Sequence, residues 1–166
     1  MSFDPTSLPL RGAHAVTASA GTGKTWSITL LWLRLIVEER LAVDRILVTT
    51  FTTAATGELR ERLLAALRTA LAAARGERVD GPAAAIVARA DEPGLARRLE
   101  AAVSAFDLAP IHTIHAFCQA LLRRQVLELG ADPEVALVPD AGAALRGRSE
   151  ERRVGKECRS RWSPYH

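Results

Sequence analysis

Residues Ala18–Thr25 (Ala-Ser-Ala-Gly-Thr-Gly-Lys-Thr) permit few folds. Two glycines two residues apart, followed by Lys and Thr, form a turn whose backbone N–H groups can point at one anion. The phosphate-loop pattern asks for Gly-x4-Gly-Lys-Ser/Thr, and Ala18 stands at its first position. Such a loop works where a strand ends and a helix begins, because the positive end of the helix then faces the phosphates. The flanks meet that requirement. Ala13–Thr17 (Ala-His-Ala-Val-Thr) reads as a short strand, and Lys24 to Leu41 is too densely apolar for anything but a buried helix. In this arrangement Ala18, Ser19, Ala20, Gly21, Thr22 and Gly23 wrap a nucleotide, Lys24 reaches its β/γ-phosphates, and Thr25 meets Mg²⁺ through the nucleotide.

The rest of residues 1–147 continues an α/β pattern. Ile46–Phe51 is β-branched and apolar, as a buried parallel strand requires. Thr52 to Arg75 follows a helical period, with Leu59, Leu63, Leu67 and Ala70/Leu71 on one face and Glu58–Arg62 as an i,i+4 pair. Gly76–Pro82 breaks the pattern. Helices follow near Ala83–Ala90 and Gly94–Phe106, then a brief strand at Pro110–Thr113. A last helix runs from Ile114 to Leu129, with Gly130 as its C-cap and Cys118 on its apolar stripe. Alternating strands and helices imply a parallel sheet with crossover helices.

Charge divides the chain in two. The net charge of +3 resides entirely in residues 148–166, which hold six basic and three acidic residues; residues 1–147 carry 16 of each sign. The tail, Arg-Ser-Glu-Glu-Arg-Arg-Val-Gly-Lys-Glu-Cys-Arg-Ser-Arg-Trp-Ser-Pro-Tyr-His, resembles the translation of a sequencing-adapter oligonucleotide. It is expected to be foreign to the fold. Without it, 15 of the 16 basic residues are Arg and Lys24 is the single Lys. A compact ammonium stands where phosphates would have to be straddled. Two cysteines 40 residues apart do not make a disulfide framework and suit a reducing cytoplasm. No apolar run approaches a bilayer span, so no membrane role is expected.

Two further segments sit at strand-to-helix junctions. In Thr49–Ala55, Phe51 could offer a stacking surface for a base, with Thr50 and Thr52 bonding phosphate oxygens. The alternative, which the residues alone slightly favour, packs Phe51 in the core and uses Thr52 as an N-cap. In Ile111–Cys118, the spacing of His112, His115 and Cys118 hints at a metal site but lacks a fourth ligand. His115 as a polar contact at the junction fits better. An acidic strand end to hold Mg²⁺ is missing: the lone Asp-Glu pair, Asp91-Glu92, follows a helical stretch. An ordinary P-loop enzyme such as a small kinase would need that acid too.

Together, three ordered segments resemble the amino-terminal part of superfamily 1 UvrD-like DNA helicases, most closely the RecB type (exodeoxyribonuclease V beta subunit). Leu8-Pro9-Leu10 with Ala18–Thr25 is similar to that family's opening and Walker A motif. Thr50-Phe51-Thr52 with Ala54-Ala55, Glu58-Leu59 and Arg62 is similar to its motif Ia. Thr113-Ile114-His115 with Phe117-Cys118 and Leu121-Leu122 is similar to its motif Ib. Thr53 departs from the Asn or Glu usual there. AddA-type and UvrD-like relatives are the nearest alternatives, and a non-functional truncated product is another.

The resemblance implies an incomplete P-loop NTPase (RecA-like) domain. Residues 1–147 would be lobe 1A with the start of a helical insertion, stopping before the Walker B strand. It also implies a motor that uses ATP and Mg²⁺ and walks 3′→5′ along single-stranded DNA. Phe51, Thr52 and His115 would lie on the DNA track. RecB-type proteins carry a nuclease, join RecC- and RecD-type subunits, and act on double-stranded DNA ends in break repair and recombination. On this reading the 166 residues alone are inactive.

Overall fold

The computed structural model describes residues 3–124, with residues 18, 20 and 91 excepted. Seven elements follow one another: α1 (Lys24–Val37), β1 (Val48–Thr50), α2 (Thr53–Ala74), α3 (Pro82–Ala90), α4 (Leu95–Ser104), β2 (Ile111–Thr113) and α5 (Ile114–Arg124). Single 3₁₀ turns at Val43–Arg45 and Phe106–Leu108 lead into the two strands.

β1 and β2 pair in parallel, Val48 opposite Ile111, Thr49 opposite His112 and Thr50 opposite Thr113. Parallel neighbours need a long crossover, and here α2, α3 and α4 supply it. The fold class is therefore the α/β class expected from the sequence. The strand expected at Ala13–Thr17 is not formed. Those five residues are irregular and exposed, and the described strands pair only with each other. A strand without a ladder partner gains nothing from extension, and local apolar pattern cannot supply one.

The core is helical. α2 lays Leu59, Leu63, Leu67 and Ala70 inward, one per turn. It packs on α1, α3 and α4, where Leu33, Ile36, Ile86 and Leu99 are fully enclosed. Trp32 meets Phe106 edge-on with centroids 6.0 Å apart, and the Arg60 guanidinium lies 5.4 Å from the same ring centre. α2 ends in a Schellman pair, Gly76 N–H to the Ala73 carbonyl and Glu77 N–H to the Ala72 carbonyl.

α1 is the buried helix expected, but it stops four residues short of Leu41. Arg40 takes a left-handed φ of 58°, which turns the Leu41 N–H back onto the Leu35 carbonyl at 3.1 Å. The one charged residue buried within α1, Arg34, anchors the chain's beginning. Its Nη1 donates to the carbonyls of Pro5 (2.9 Å) and Leu8 (2.7 Å). Nε and Nη2 of the same guanidinium grip Glu38. Arg89 of α3 completes the tie, donating to the Thr6 carbonyl and to Glu38. The chain forms two compact units, Met1–Cys118 and Gln119–His166. Only Gln119–Arg124 of the second is described, and it is helical. The expected end of α5 at Leu129 and the tail 148–166 lie outside the described residues.

Candidate functional site

Between the exposed segment 13–17 and α1 the chain turns on two left-handed glycines, Gly21 (φ 76°) and Gly23 (φ 82°). A Cβ at either position would meet nothing within 4 Å, so the backbone angle, not crowding, calls for glycine. Gly23 is the N-cap of α1 and brings no side-chain acceptor. The first turn of α1 thus lacks the oxygen that a Ser, Thr or Asp cap would provide, and an anion can take that place. Two donors converge on one carbonyl inside the loop. Thr22 Oγ1 reaches the Ser19 oxygen at 2.7 Å and Lys24 Nζ reaches it at 2.6 Å. Lys24 opens α1, and Thr25 beside it is half-buried, its carbonyl accepting the Thr29 hydroxyl at 2.8 Å. Ala18 and Ala20, expected in the same loop, lie outside the described residues.

A cavity of about 490 Å³ adjoins the loop. Its polar wall is Ser19, Thr22 and Lys24; its apolar wall is Phe3, Val16, Ile28 and Leu31. Phe3 joins this site with no motif of its own to mark it. The signal lies in Arg34, a lone charge inside an apolar helix, which predicts a buried partner without saying which.

The second cluster forms at the carboxyl end of the sheet. Because Thr50 and Thr113 are register partners at the last rung, the turns after β1 and β2 leave the same edge. That edge is where open α/β sheets carry their ligands. Thr52 caps α2, its side chain accepting the Ala55 N–H at 3.1 Å. Thr113 does the same for α5, accepting the Ala116 N–H at 3.2 Å. Phe51, between strand and cap, is 87% exposed. Half of the alternative reading therefore holds, since Thr52 is a cap, and half fails, since Phe51 is not in the core. His115 is exposed, one residue into α5. Thr50 turns its hydroxyl inward, to the Thr52 carbonyl (3.0 Å) and the Thr56 hydroxyl (2.6 Å). Thr56 belongs to none of the sequence motifs; its only sequence signal is the Thr-x3-Thr spacing from Thr52.

Cys118, expected to be buried, is exposed, because no residue of α5 is buried among those described. No group of three metal-ligating side chains forms among the described residues. Glu92 lies beyond the end of helix α3, not at a strand end, and pairs with Arg98 (3.0 Å) and Arg40 (3.2 Å). Asp91 is outside the described residues. No described helix is long and apolar enough to cross a membrane. One electrostatic shift stands out. Asp4 has its carboxyl held below the usual value of 3.8 by the Thr6 N–H and by the hydroxyls of Thr6 and Ser7.

Residues 4–156 match the family described as the UvrD/REP helicase N-terminal domain. Among curated proteins, RecBCD enzyme subunit RecB of Escherichia coli K12 is 37% identical over 83% of this chain and 12% of its own length. The protein of the same name from Mycolicibacterium smegmatis is 38% identical over 78% of this chain and 12% of its own. An ATP-dependent helicase/nuclease subunit of Alkaliphilus oremlandii is 34% identical over 74% of this chain and 9% of its own. The chain thus spans about an eighth or less of these relatives.

Proposed function

Because the chain belongs to the UvrD/REP helicase N-terminal domain family, we propose that it is the ATP-binding and DNA-gripping part of a RecB-type DNA helicase. The observation that carries this reading is the loop with left-handed glycines that leads into the uncapped start of α1, with Lys24 as its first residue. The donor set fits a nucleotide triphosphate with Mg²⁺: open backbone N–H groups, an ammonium and a neighbouring Thr hydroxyl. Bound MgATP supplies a labile γ-phosphoryl group and a cation that offsets its charge. Residues Ser19, Gly21, Thr22 and Gly23, with Ala18 and Ala20, cradle the phosphates. Lys24 balances their charge and Thr25 offers its hydroxyl to Mg²⁺.

At the sheet edge, Phe51 stacks on a base of single-stranded DNA, Thr52 offers its hydroxyl proton to a phosphate oxygen, and His115 contacts the strand from the neighbouring turn. Thr50 belongs to this site as the residue that shapes the turn. For the full-length parent we infer ATP-driven 3′→5′ translocation, with nuclease activity and RecC- and RecD-type partners, acting on double-stranded ends in cytoplasmic break repair and recombination. The names of the relatives support this. The slightly higher identity of the RecB relatives favours a RecB-type over an AddA-type protein. Residues 148–166 we read as foreign to that protein; deleting them should leave ligand binding unchanged, and a genomic read through codon 166 that matches them would overturn this.

Among the described residues no carboxylate stands at a strand end, so binding is the proper assay and turnover is not. Titration of the 166-residue chain with a fluorescent ATP analogue and Mg²⁺ should give saturable binding. Removing the charged Lys24 contact with Lys24→Ala weakens it about tenfold or more. Equal binding by the variant would sink the assignment of the loop.

A further inference from the structure

We propose that Thr56 is a positioning residue for nucleic-acid binding, acting through Phe51, which it holds out of the fold. The inference rests on the reading of Phe51 as a base-stacking residue.

β1 ends at Thr50 and α2 begins at Thr53, so only Phe51 and Thr52 make the turn. Three contacts close its inner side. Thr56 Oγ1 donates to the Thr52 carbonyl at 2.9 Å. Thr50 Oγ1 lies 3.0 Å from the same carbonyl and 2.6 Å from Thr56 Oγ1. The Thr56 N–H also reaches that carbonyl, at 3.1 Å, as the first helical bond of α2. A carbonyl has two lone pairs and each hydroxyl one proton. The backbone N–H takes one lone pair and one hydroxyl the other, so the second hydroxyl proton falls in the Thr50–Thr56 contact. The residues on either side of Phe51 are thereby tied together beneath it. With the inner side filled by this knot of hydroxyls, the ring points outward and is 87% exposed.

An exposed Phe costs a soluble protein apolar surface in water. A fold that fixes its backbone with two buried-side hydroxyls keeps the ring presented instead of letting it collapse onto α2. Pre-setting a stacking ring reduces the ordering cost of binding. Thr56 itself is half-buried on the first turn of α2 and needs no contact with the ligand.

The test uses the intact chain and two oligonucleotides, a poly(dT) strand and an abasic strand of equal length. Phe51→Ala is expected to lose about 5- to 150-fold in affinity for poly(dT), the range of one stacked base. Its binding to the abasic strand should not change. Thr56→Val, which keeps the shape and removes the hydroxyl, is expected to move poly(dT) affinity toward the Phe51→Ala value. Abasic-strand binding and ATP-analogue binding stay unchanged, Thr56→Ser restores affinity, and Phe51→Ala/Thr56→Val is no weaker than Phe51→Ala alone. Far-UV circular dichroism confirms that the variants keep their helices. Loss in Phe51→Ala without loss in Thr56→Val overturns the role of Thr56. Equal loss on both strands, or additive loss in the double variant, also overturns it. No loss in Phe51→Ala overturns the stacking assignment beneath it.

Discussion

Replacing Arg34 with Met keeps the aliphatic stem and removes the guanidinium, and the structure sets the size of the loss. The side chain is 8% exposed and its partners are the carbonyls of Pro5 and Leu8 and the carboxylate of Glu38. Removing one member of a buried pair is severe when it strands the other charge. Here Glu38 keeps Arg89 at 2.9 Å, so the carboxylate is not left alone. The cost falls on the two carbonyls, each of which loses a charged donor worth about 1.5–3 kcal/mol. Taking the low end for both, because the segment is partly open to water, gives about 3 kcal/mol. Urea denaturation followed by circular dichroism should show the midpoint lowered by roughly 1–3 M at an ordinary slope for a small protein. Amide exchange at Leu8, whose N–H bonds the Asp4 carbonyl at 3.2 Å, should lose its protection in the same variant. Arg34→Lys keeps a charge but cannot span three partners in different directions, and should recover only part of the loss. A midpoint within experimental error of the parent, with Leu8 protection intact, would refute the claim that this guanidinium fastens the amino-terminal segment.

Thr52→Ala removes the α2 cap and should cost about 1 kcal/mol in a thermal or urea melt, whereas Thr52→Ser should cost little; equal melts for both would deny the cap. Gly23→Ala must place a Cβ on a left-handed backbone, at about 1–2 kcal/mol, so ATP-analogue affinity should drop by about 5- to 30-fold. Gly23→Asn, which tolerates that region better, should lose less, and the reverse order would show that space rather than angle governs the loop. Asp4, whose folded value is depressed, stabilises the fold above the ordinary carboxylate range, and that contribution is lost as pH falls through its folded value. Titration of its carboxyl by NMR should give a midpoint below 3.8, and a midpoint at or above that value would contradict the Thr6 and Ser7 hydrogen bonds.

Elements built on local signals were legible from sequence. The spacing of Leu59, Leu63 and Leu67 marks the buried face of α2, and the Glu58–Arg62 pair forms at 2.6 Å as its spacing implies. The Gly-Thr-Gly-Lys loop is a local conformation encoded by its own residues, and the structure builds it. What sequence could not fix depends on partners distant in the chain. Ala13–Thr17 has the composition of a strand, but pairing decides strands and none reaches it. Cys118 lies on an apolar stripe, but a stripe is buried only if something covers it. Phe51 is an aromatic in an apolar run, and its exposure comes from three hydroxyl contacts that no hydropathy pattern registers. Arg34 was visible as an interruption of an apolar helix, while its role needed the carbonyls of Pro5 and Leu8, 29 and 26 residues away.

The edge where β1 and β2 end presents rings and hydroxyls but little free cationic charge among the described residues. Arg62 is bound to Glu58, and Arg60 is shared between Phe106 and Asp107. Nucleic-acid binding driven by Lys and Arg releases condensed counterions and weakens steeply as salt rises. A grip made of Phe51, Thr52 and His115 displaces few such ions. On the proposed function, this edge therefore holds its strand with a shallow dependence on ionic strength. It discriminates by whether bases are unstacked and available, so a single strand is preferred over a duplex without any sequence being read.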